Sequence, residues 1–391
     1  MTHEPRDAHA RPTRAVTAGR SHQGSSLNVP LWANSTWQTE GLDDTRKRAT
    51  GMRPADFYSR YANPTVRAFE EAIAELEGAE DALAFASGMG AIASTVFALC
   101  SAGDHVVAQR QLYAGTAAFL QGPCARLGIE VTFVDGTQPG ALAAAVRPGR
   151  TMLVISETPS NPRLDLVDLD ELGAIAGPYT IVDSTFATPI GQQPLGHGVD
   201  LVLHSATKGI SGHNDATLGV IAGTTEVLDA IWAYAVLHGA SASPYDALNG
   251  LRGIRTLAVR QRHQAGVAQQ VAEALADHPG VTAVHYPGLP DHPQHELARK
   301  QLDVLPTVLA ADLAGGVDAA RAMLDALRVG RPATSLGGPE TLVCHPATST
   351  HVSLSPDEQA AIGVTPGLVR ISIGLEDPDD VITDLCRAIP R

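Results

Sequence analysis

Short apolar stretches of β type alternate with alanine-rich helical stretches from about Asp81 to Ile221. This alternation is typical of βαβ units, in which parallel strands form a sheet that helices cover on both faces. The seven candidate strands are 82–85, 105–108, 130–134, 152–155, 180–182, 201–203 and 219–221. After about Pro244 a long helical pattern and a loop rich in proline and histidine lead into a region of mixed pattern. We therefore predict an α/β fold with a mainly parallel seven-stranded sheet and a smaller α+β C-terminal domain.

The length of 391 residues exceeds what one hydrophobic core usually supports. We expect a large domain at 61–245 and a small domain at 246–391. Residues 25–65 show little periodicity, so residues 1–60 are predicted to form an arm that contacts a neighbouring subunit. The polar segment 1–24 is predicted to be mobile. Hydrophobic residues make up 44% of the chain and charged residues only 18%, which also favours an oligomer.

The formal net charge is −14, whereas a protein that binds nucleic acid or an anionic membrane needs a basic face. Neither partner is therefore expected, and an anionic ligand would require a local cationic site. No apolar stretch approaches the length that crosses a bilayer. The four cysteines are widely spaced and match no zinc-ligand pattern, so we expect no metal site and a cytoplasmic protein with reduced thiols.

Lysine is rare in this chain, with three lysines against 25 arginines. Two of the lysines lie in charged polar segments, but Lys208 follows the apolar strand 201–203 and two hydroxyl-bearing residues. The strand 180–182 likewise ends at Asp183. Ligands of open α/β sheets bind at the carboxyl ends of the strands. An amine and a carboxylate there match pyridoxal phosphate, which needs a lysine to bond its aldehyde and an anion beside its ring nitrogen.

Two other interpretations of Lys208 stay open. A lysine at a strand end can simply extend into water. The stretch from Ser205 to Lys208 also fits the Ser-x-x-Lys signature of serine acyl-enzymes. That signature has Ser-Asp-Asn and Lys-Thr-Gly companions, and neither triplet occurs in this chain.

Small and hydroxyl-bearing residues mark a candidate phosphate site. The segment 87–89 lies where the candidate strand 82–85 passes into a helical stretch, and such turns direct backbone N–H groups and the helix dipole at an anion. A cofactor bonded to Lys208 must also hold its phosphate near that lysine. The candidate phosphate ligands are Ser87, Gly88, Met89, Ser205, Thr207 and Arg60. The alternatives are that Gly88 is present for steric reasons alone and that Arg60 is an ordinary surface arginine.

Three further residues have settings that suit a ligand. Tyr113 follows a strand and opens a helical stretch, so its ring can stack on a flat cofactor and its hydroxyl can act as an acid, although half-buried packing is the alternative. Asn161 lies in a Ser-Asn-Pro turn, and turn formation alone would explain it. Arg370 interrupts an apolar strand, so it needs an anionic partner, which is either an amino-acid carboxylate or an internal salt bridge.

The order and spacing of these features resemble the cysteine/methionine metabolism family of pyridoxal-phosphate enzymes. That family includes cystathionine γ-lyase, cystathionine γ-synthase, cystathionine β-lyase, methionine γ-lyase and O-acetylhomoserine sulfhydrylase. The resemblance extends from about Thr13 to the C-terminus. The segments that carry it are Tyr58–Arg60, Asn63–Thr65, Ser87–Met89, Glu157, Ser160–Pro162, Asp183, Thr185–Phe186, His204–Lys208, Ser335–Gly338 and Gly367–Arg370. The resemblance implies the fold type I of pyridoxal-phosphate-dependent transferases.

The resemblance also implies roles for individual residues. Lys208 would bond to the cofactor, Asp183 would bind its ring nitrogen and Tyr113 would stack on the ring. The phosphate would be bound by Ser87, Gly88, Met89, Ser205 and Thr207, together with Tyr58 and Arg60 of a neighbouring subunit. The substrate carboxylate would be bound by Asn161, Ser335 and Arg370. Members of this family are homotetramers, dimers of dimers whose active sites are shared between subunits.

Departures from the family pattern bear on the substrate. Methionine γ-lyases often have a cysteine two residues after the stacking tyrosine, whereas this chain has Gly115, as cystathionine-type members do. The stretch 340–351, in contrast, resembles methionine γ-lyase. The segment Thr307–Leu313 replaces the usual Gly-Gly-Met-x-Ser-Phe. The two halves of the chain therefore point to different relatives.

The predicted function is a γ-lyase that removes a γ substituent from cystathionine, methionine, homocysteine or a related amino acid, giving a 2-oxo acid and ammonia. Lys208 would carry protons and Tyr113 would be the acid. A γ-replacement synthase uses the same residues and remains an alternative, as does γ-elimination on a non-standard amino acid in a specialised pathway. An alternative from another functional class is a structural or regulatory protein that binds the cofactor but catalyses no reaction.

Overall fold

The computed structural model of the protein describes residues 9–390, and its larger sheet has seven strands in the order β1-β7-β6-β5-β4-β2-β3. These strands are β1 (Asp81–Phe85), β2 (His105–Gln109), β3 (Glu130–Val134), β4 (Thr151–Glu157), β5 (Tyr179–Asp183), β6 (Leu201–His204) and β7 (Gly219–Gly223). Strand β7 is antiparallel to both neighbours, and the other neighbouring pairs are parallel. The predicted strands and the mainly parallel sheet are therefore confirmed.

Helices cover both faces of this sheet. The α-helices of residues 9–390 are α1 (Arg11–Thr17), α2 (Leu42–Ala49), α3 (Pro64–Glu77), α4 (Gly88–Leu99), α5 (Ala114–Phe119), α6 (Ala141–Ala144), α7 (Leu169–Gly173), α8 (Thr188–Gly191), α9 (Thr225–His238), α10 (Pro244–Ala276), α11 (His295–Gln301), α12 (Gly316–Ala326), α13 (Pro356–Ala361) and α14 (Pro378–Ala388). Of these, α3, α4 and α9 and the first part of α10 contribute to the two cores on the faces of this sheet. Successive side chains of a buried strand point to opposite faces. Val202 of β6 accordingly packs in one core with Phe69 of α3 and Leu251 of α10, whereas Leu203 packs in a second core with Ile92 of α4.

The C-terminal part forms a second sheet of five strands in the order β10-β11-β12-β9-β8. These strands are β8 (Val281–His285), β9 (Val308–Leu313), β10 (Arg331–Pro332), β11 (Leu342–Cys344) and β12 (Leu368–Ser372). Helix α10 joins the two parts, because Leu251 lies in the core of the first sheet and Val271 lies in the core of the second. The predicted α+β region and its long helix are confirmed, whereas the division of the chain at residues 60 and 245 stays a prediction.

The start of the described chain corrects the prediction of a mobile segment at 1–24. Helix α1 packs on the core of the first sheet through Ala15, and Ala18 beside it is equally buried. Arg14 donates from Nη1 to the Glu75 carbonyl at 2.8 Å. Mobility was therefore the wrong prediction for this helix, because two alanines in a short polar segment give little periodic signal. The first eight residues of the segment lie outside the described residues.

Between α1 and α3 the chain has little regular structure apart from α2 and an isolated bridge between Thr36 and Tyr58. Several large apolar side chains are exposed here, and Leu27 and Leu42 are 96% and 90% exposed. The structure contains a single chain, so the predicted contact of this arm with another subunit stays a prediction. Across residues 9–390, no helix combines the length and the apolar character that a membrane span requires.

Candidate active site

The carboxyl ends of β4, β5 and β6 lie side by side, because the three strands are parallel neighbours. Glu157 ends β4, Asp183 ends β5 and Lys208 follows shortly after β6. A cavity of about 500 Å³ lies at this edge of the sheet. The predicted site residues that line it are Ser87, Gly88, Met89, Tyr113, Asn161, Asp183, Ser205, Thr207, Lys208, Ser335 and Arg370. Residues predicted from seven separate places in the sequence thus meet in one cavity.

The Lys208 amine lies against the loop that precedes β11. Its Nζ donates a hydrogen bond to Ser335 Oγ at 2.9 Å. Ser335 has φ 78°, a left-handed conformation that residues other than glycine rarely adopt. Burial lowers the pKa of Lys208, and the positive charge of Arg370 lowers it further. At a given pH, the neutral fraction of this amine is therefore larger than that of a surface lysine. The neutral amine is the form that acts as a nucleophile or a base.

Two carboxyl groups, that of the buried Glu157 and that of the partly buried Asp183, lie opposite each other on β4 and β5. Asp183 Oδ1 accepts hydrogen bonds from the backbone N–H of Thr185 at 3.0 Å and from its hydroxyl. Burial raises the pKa of both carboxyls, and the charge of Asp183 raises the pKa of Glu157 further. A cation beside Asp183 would counter this effect, because an opposite charge favours the ionised carboxylate.

Glu157 joins three separate segments around the cavity. Its Oε2 accepts from the backbone N–H of Tyr113 at 2.7 Å, and its Oε1 accepts from the backbone N–H of Asn161 at 2.8 Å. Its own backbone N–H donates to Gln109 Oε1 at 2.9 Å. The sequence placed Glu157 at a strand end but assigned it no function, since these partners depend on how the loops fold.

The N-terminus of α4 faces the same cavity. Ser87 caps the helix, and its Oγ accepts from the Gly90 backbone N–H at 3.0 Å. The backbone N–H groups of Gly88 and Met89 belong to the first turn, which has no intrahelical acceptors for them. Gly88 also permits a close approach, because a Cβ there would lie 3.0 Å from Ser205 Cβ. Free N–H groups at the positive end of a helix form an anion site.

Three of the predicted phosphate contacts have other partners within the single chain. The Thr207 hydroxyl donates to the Leu218 carbonyl at 3.1 Å and accepts from the Leu218 N–H at 2.8 Å, so it must rotate before it can donate to an anion. Arg60 donates from Nη1 to the Val236 carbonyl at 2.6 Å and lies 5.4 Å from the ring centre of Tyr58. Arg60 lines a separate small cavity, so one chain does not bring Tyr58 and Arg60 to Lys208.

Arg370 of β12 is only 3% exposed. It donates from Nη1 to Asn161 Oδ1 at 2.9 Å and from Nη2 to the Ser335 carbonyl at 2.8 Å. Its Nε is buried and has no hydrogen-bond partner among the described residues. Both partners are uncharged oxygen atoms, and a buried guanidinium with a free N–H favours an anionic ligand. We refer to Asn161, Ser335 and Arg370 as the arginine clamp.

Tyr113 stands at the start of α5, with its side chain 42% exposed at the cavity. Its backbone is fixed by the hydrogen bond to Glu157. The ring lies over Gly115, and a Cβ at that position would overlap the ring. The glycine that distinguishes this chain from many methionine γ-lyases therefore permits the observed position of the ring.

Other lining residues were not predicted as site residues. They are Ile92, Thr116, Glu157, Thr185, Phe186, Thr334, Leu336, Ser349 and Thr350. Two signals could have found some of them. Thr185 and Phe186 directly follow Asp183, and Ser349 and Thr350 lie in the stretch that resembles methionine γ-lyase.

The side chains of the cavity fit pyridoxal phosphate. Lys208 offers an amine to the aldehyde. Asp183 offers a partly buried carboxyl to the ring nitrogen, which the cofactor needs in its protonated form. The first turn of α4 offers N–H groups to the phosphate. The arginine clamp offers a guanidinium with free N–H groups to a further anionic group.

Comparison with known proteins supports this assignment. The sequence pattern of the family described as Cys/Met metabolism PLP-dependent enzyme matches residues 12–390. The O-succinylhomoserine sulfhydrylase of Pseudomonas aeruginosa is 42% identical over 382 residues, which are 96% of this chain and 94% of that protein. The L-methionine gamma-lyase of Porphyromonas gingivalis is 40% identical over 380 residues, which are 95% of each chain.

A solved structure agrees with the fold and the cofactor. The crystal structure of metY from Campylobacter jejuni matches with a TM-score of 0.92 and 29% identity, and the match covers 97% of this chain and 100% of that one. That protein carries N'-pyridoxyl-lysine-5'-monophosphate. The predicted pyridoxal-phosphate fold class and cofactor are thereby confirmed.

The matches extend over nearly the whole chain, and they include enzymes of both γ-elimination and γ-replacement. This protein is therefore an enzyme that uses pyridoxal phosphate, and its substrate is a small molecule of the amino-acid class. The resemblance predicted from its motifs is confirmed. The chain belongs to the Cys/Met metabolism PLP-dependent enzyme family.

Proposed function

We propose that the enzyme is a γ-lyase, which removes a γ substituent from an L-amino acid and releases a 2-oxo acid and ammonia. One observation carries the proposal: the Lys208 amine, the Asp183 carboxyl and the Arg370 guanidinium meet in a single cavity. The L-methionine gamma-lyase of Porphyromonas gingivalis, 40% identical to this chain, supports elimination at the γ carbon.

In this proposal Lys208 bonds to the cofactor and Asp183 binds the cofactor ring nitrogen. Tyr113 stacks on the ring, and the phosphate lies at the first turn of α4. The phosphate contacts are Ser87, Gly88, Met89, Ser205 and Thr207 of one subunit, with Tyr58 and Arg60 of a neighbouring subunit. The surroundings of Lys208 and Asp183 support these roles, since both side chains are partly buried and line the cavity at one edge of the sheet.

Pyridoxal phosphate, when bound, delocalises the electron pair that remains when a proton leaves Cα of the substrate. Lys208 is the group that takes this proton, because burial and Arg370 lower the pKa of its amine and so increase the share of the neutral base. Removal of a Cβ proton must follow before a γ substituent can leave. Tyr113 donates a proton to the departing group, since its side chain stands at the wall of the same cavity.

The arginine clamp binds the substrate carboxylate. One N–H on each Nη of Arg370 is held by Asn161 or by the Ser335 carbonyl, which leaves Nε–H and the second N–H of each Nη as donors for a carboxylate. The planar guanidinium fixes the direction from which a carboxylate can bind. Because Ser335 also contacts the Lys208 amine, the clamp sets the substrate at a fixed place relative to the base.

A γ-replacement synthase is the second candidate. The sulfhydrylase of Pseudomonas aeruginosa, 42% identical to this chain, favours it. A replacement enzyme loses the same protons and expels the same kind of group, but a thiol then adds at the γ carbon. The two functions therefore differ in whether product requires a thiol.

Proton exchange at Cβ tests γ chemistry directly. L-Norvaline has no leaving group, so an enzyme that ionises Cβ will exchange protons there without forming product. In deuterium oxide we expect deuterium at both Cα and Cβ of L-norvaline, measured by proton NMR as loss of both signals. A β-lyase has no need to ionise Cβ and would label Cα alone.

Product formation separates the remaining possibilities. A set of γ-substituted amino acids is incubated with and without a thiol, and the 2-oxo acid is measured. Label at both carbons with 2-oxo acid formed in the absence of thiol supports the γ-lyase. Label at both carbons with product only when a thiol is present supports the synthase, and label at Cα alone contradicts both.

We further propose a homotetramer, a dimer of dimers in which each active site receives Tyr58 and Arg60 from a neighbour. The arm has exposed apolar side chains, of which Leu27 and Leu42 are the clearest examples. Such side chains support the proposal that another subunit covers this surface. We also propose that the enzyme is cytoplasmic, which four cysteines without disulfide bonds support.

Subunit exchange tests the shared site. Arg60→Ala is expected to weaken cofactor retention, because its guanidinium is proposed to bind the phosphate. Arg60→Ala and Lys208→Ala proteins, each inactive alone, are mixed so that hybrids form. Up to about a quarter of the normal activity per site is expected to return if one active site contains Arg60 and Lys208 from different chains. No recovery in hybrids verified by mass spectrometry would show that both residues act within one chain.

A further inference from the structure

Thr185 lies two residues after the end of β5 and lines the cavity, and its hydroxyl joins two parts of the candidate site. Its Oγ1 accepts from the Ser205 backbone N–H at 2.8 Å and donates to Asp183 Oδ1. A backbone N–H can only donate, and a hydroxyl has a single hydrogen, so that hydrogen must point to Asp183. The two partners therefore fix the direction of the hydroxyl.

The two carboxyl oxygens of Asp183 have different surroundings. Oδ1 accepts from both the backbone N–H and the hydroxyl of Thr185, whereas Oδ2 accepts no hydrogen bond from residues 9–390. Because the side chain lines the cavity, Oδ2 is the oxygen left for a ligand. Burial raises the pKa of Asp183, and the two hydrogen bonds from Thr185 lower it. They do so because hydrogen bonds to the ionised form favour that form.

A local turn explains only part of this arrangement. An aspartate commonly accepts from the backbone N–H two residues later, and such a turn accounts for the contact between the Thr185 N–H and Asp183. The hydroxyl contact is different, because it extends to Ser205, which is 20 residues later and follows another strand. Ser205 begins the short segment that ends in Lys208. The hydroxyl therefore connects the carboxyl to the segment that carries the amine.

We infer that Thr185 is a positioning residue for the cofactor ring. Its hydroxyl holds Asp183 Oδ1, which leaves Oδ2 as the acceptor for the ring nitrogen. The same hydroxyl oxygen holds the Ser205 backbone, so the carboxyl and the segment of Lys208 keep a fixed relation. The inference rests on the proposed function, in which Asp183 binds the ring nitrogen and Lys208 bonds to the aldehyde.

The opposite end of β5 has a threonine–aspartate pair of the same kind. Thr180 Oγ1 donates to Asp200 Oδ2 at 2.9 Å and accepts from the Asp200 backbone N–H at 3.0 Å. Neither residue lines the cavity, so this pair only joins β5 to the residue before β6. A contact of this kind can thus be purely structural, and Thr180 is the matched control for Thr185.

The test compares pyridoxal phosphate with its 1-deaza analogue, in which C–H replaces the ring nitrogen. Both compounds carry the same aldehyde and phosphate, so the ratio of their dissociation constants isolates the interaction of the ring nitrogen. Each is added to the full-length protein freed of cofactor, and binding is measured as the absorbance change when the aldehyde bonds to Lys208. The variants are Thr185→Val, which keeps the shape without the hydroxyl, Thr185→Ser, which keeps the hydroxyl, and Thr180→Val.

The wild-type protein is expected to prefer pyridoxal phosphate to the analogue. Thr185→Val should reduce this preference roughly 3- to 10-fold, the effect of about one hydrogen bond, because the carboxylate loses a donor that stabilises its charge. Thr185→Ser should keep most of the preference, since it retains the hydroxyl. Thr180→Val should leave the preference unchanged.

Several results would overturn the inference. Equal weakening of both compounds in Thr185→Val, an unchanged preference, or the same fall in Thr185→Ser or Thr180→Val would show a merely structural role. If Thr185→Val does not fold, Thr185→Ala replaces it, and that variant must lower the preference more than Thr185→Ser does. A wild-type protein that binds both compounds equally would contradict the proposed contact between Asp183 and the ring nitrogen, which distinguishes failure of the proposed function from failure of the inference.

Discussion

Replacing Lys208 by alanine is expected to reduce turnover by at least about 10³-fold, because the amine is proposed both to bond the cofactor and to transfer a proton, and a positioned acid or base alone contributes about 10²–10⁴. The absorbance of the lysine-bonded cofactor should disappear as well. The measurement is the spectrum of the purified variant together with the rate of 2-oxo acid formation at saturating substrate.

Lys300→Ala is the control for the loss of a lysine. Lys300 is exposed and pairs with Asp170 at 2.8 Å on the surface, and a surface ion pair contributes at most about 1 kcal/mol. Turnover and spectrum should be close to those of the wild type. If Lys208→Ala retained a tenth or more of the normal rate, the proposed role of Lys208 would be wrong.

Asp183→Asn is expected to lower turnover roughly 10²- to 10³-fold. The change removes the charge but keeps the shape and an oxygen that can accept from Thr185. Breaking one side of a buried charge pair costs about 3–5 kcal/mol, and about 1.4 kcal/mol corresponds to a factor of ten. The rate is measured on protein saturated with cofactor, so that weaker cofactor binding does not enter the result.

Asp200→Asn is the matched control for this prediction. Asp200 accepts from the backbone N–H and the hydroxyl of Thr180, near the start of β5 rather than at its carboxyl end. It is expected to change stability without changing the rate per cofactor-loaded site. A similar fall in rate in both variants would mean that Asp183 acts through the fold and not through the cofactor.

The sequence determined the sheet and the edge at which the site lies. Strands such as 180–182 and 201–203 are continuous apolar runs bounded by polar residues, which is the pattern of a sheet buried on both faces. Parallel neighbouring strands place their carboxyl ends together, so Asp183 and the segment ending in Lys208 meet without any further information. The motifs around them were sufficient to identify the family.

Weak local signals produced the errors. Helix α1 was predicted to be mobile, but Ala15 and the adjacent Ala18 pack in one core with α3 and α10, which begin more than 40 residues further along the chain. Helix α2 has no buried residue and no clear apolar face, so periodicity could not find it. The case of α1 follows from a general physical limit, since short helices gain most of their stability from tertiary contacts.

Only the tertiary structure determined which residues of the site contact one another. Glu157 binds Tyr113 and Asn161 through separate oxygens, and Arg370 reaches Asn161 across 209 positions of sequence. Such contacts depend on the conformations of loops, and the sequence of a loop has no periodic pattern from which its contacts could be predicted. Residue type and strand topology therefore determined which side chains the site contains and at which edge of the first sheet they lie. The packing of the two sheets around α10 decided the distances between these side chains, their charge states and their arrangement.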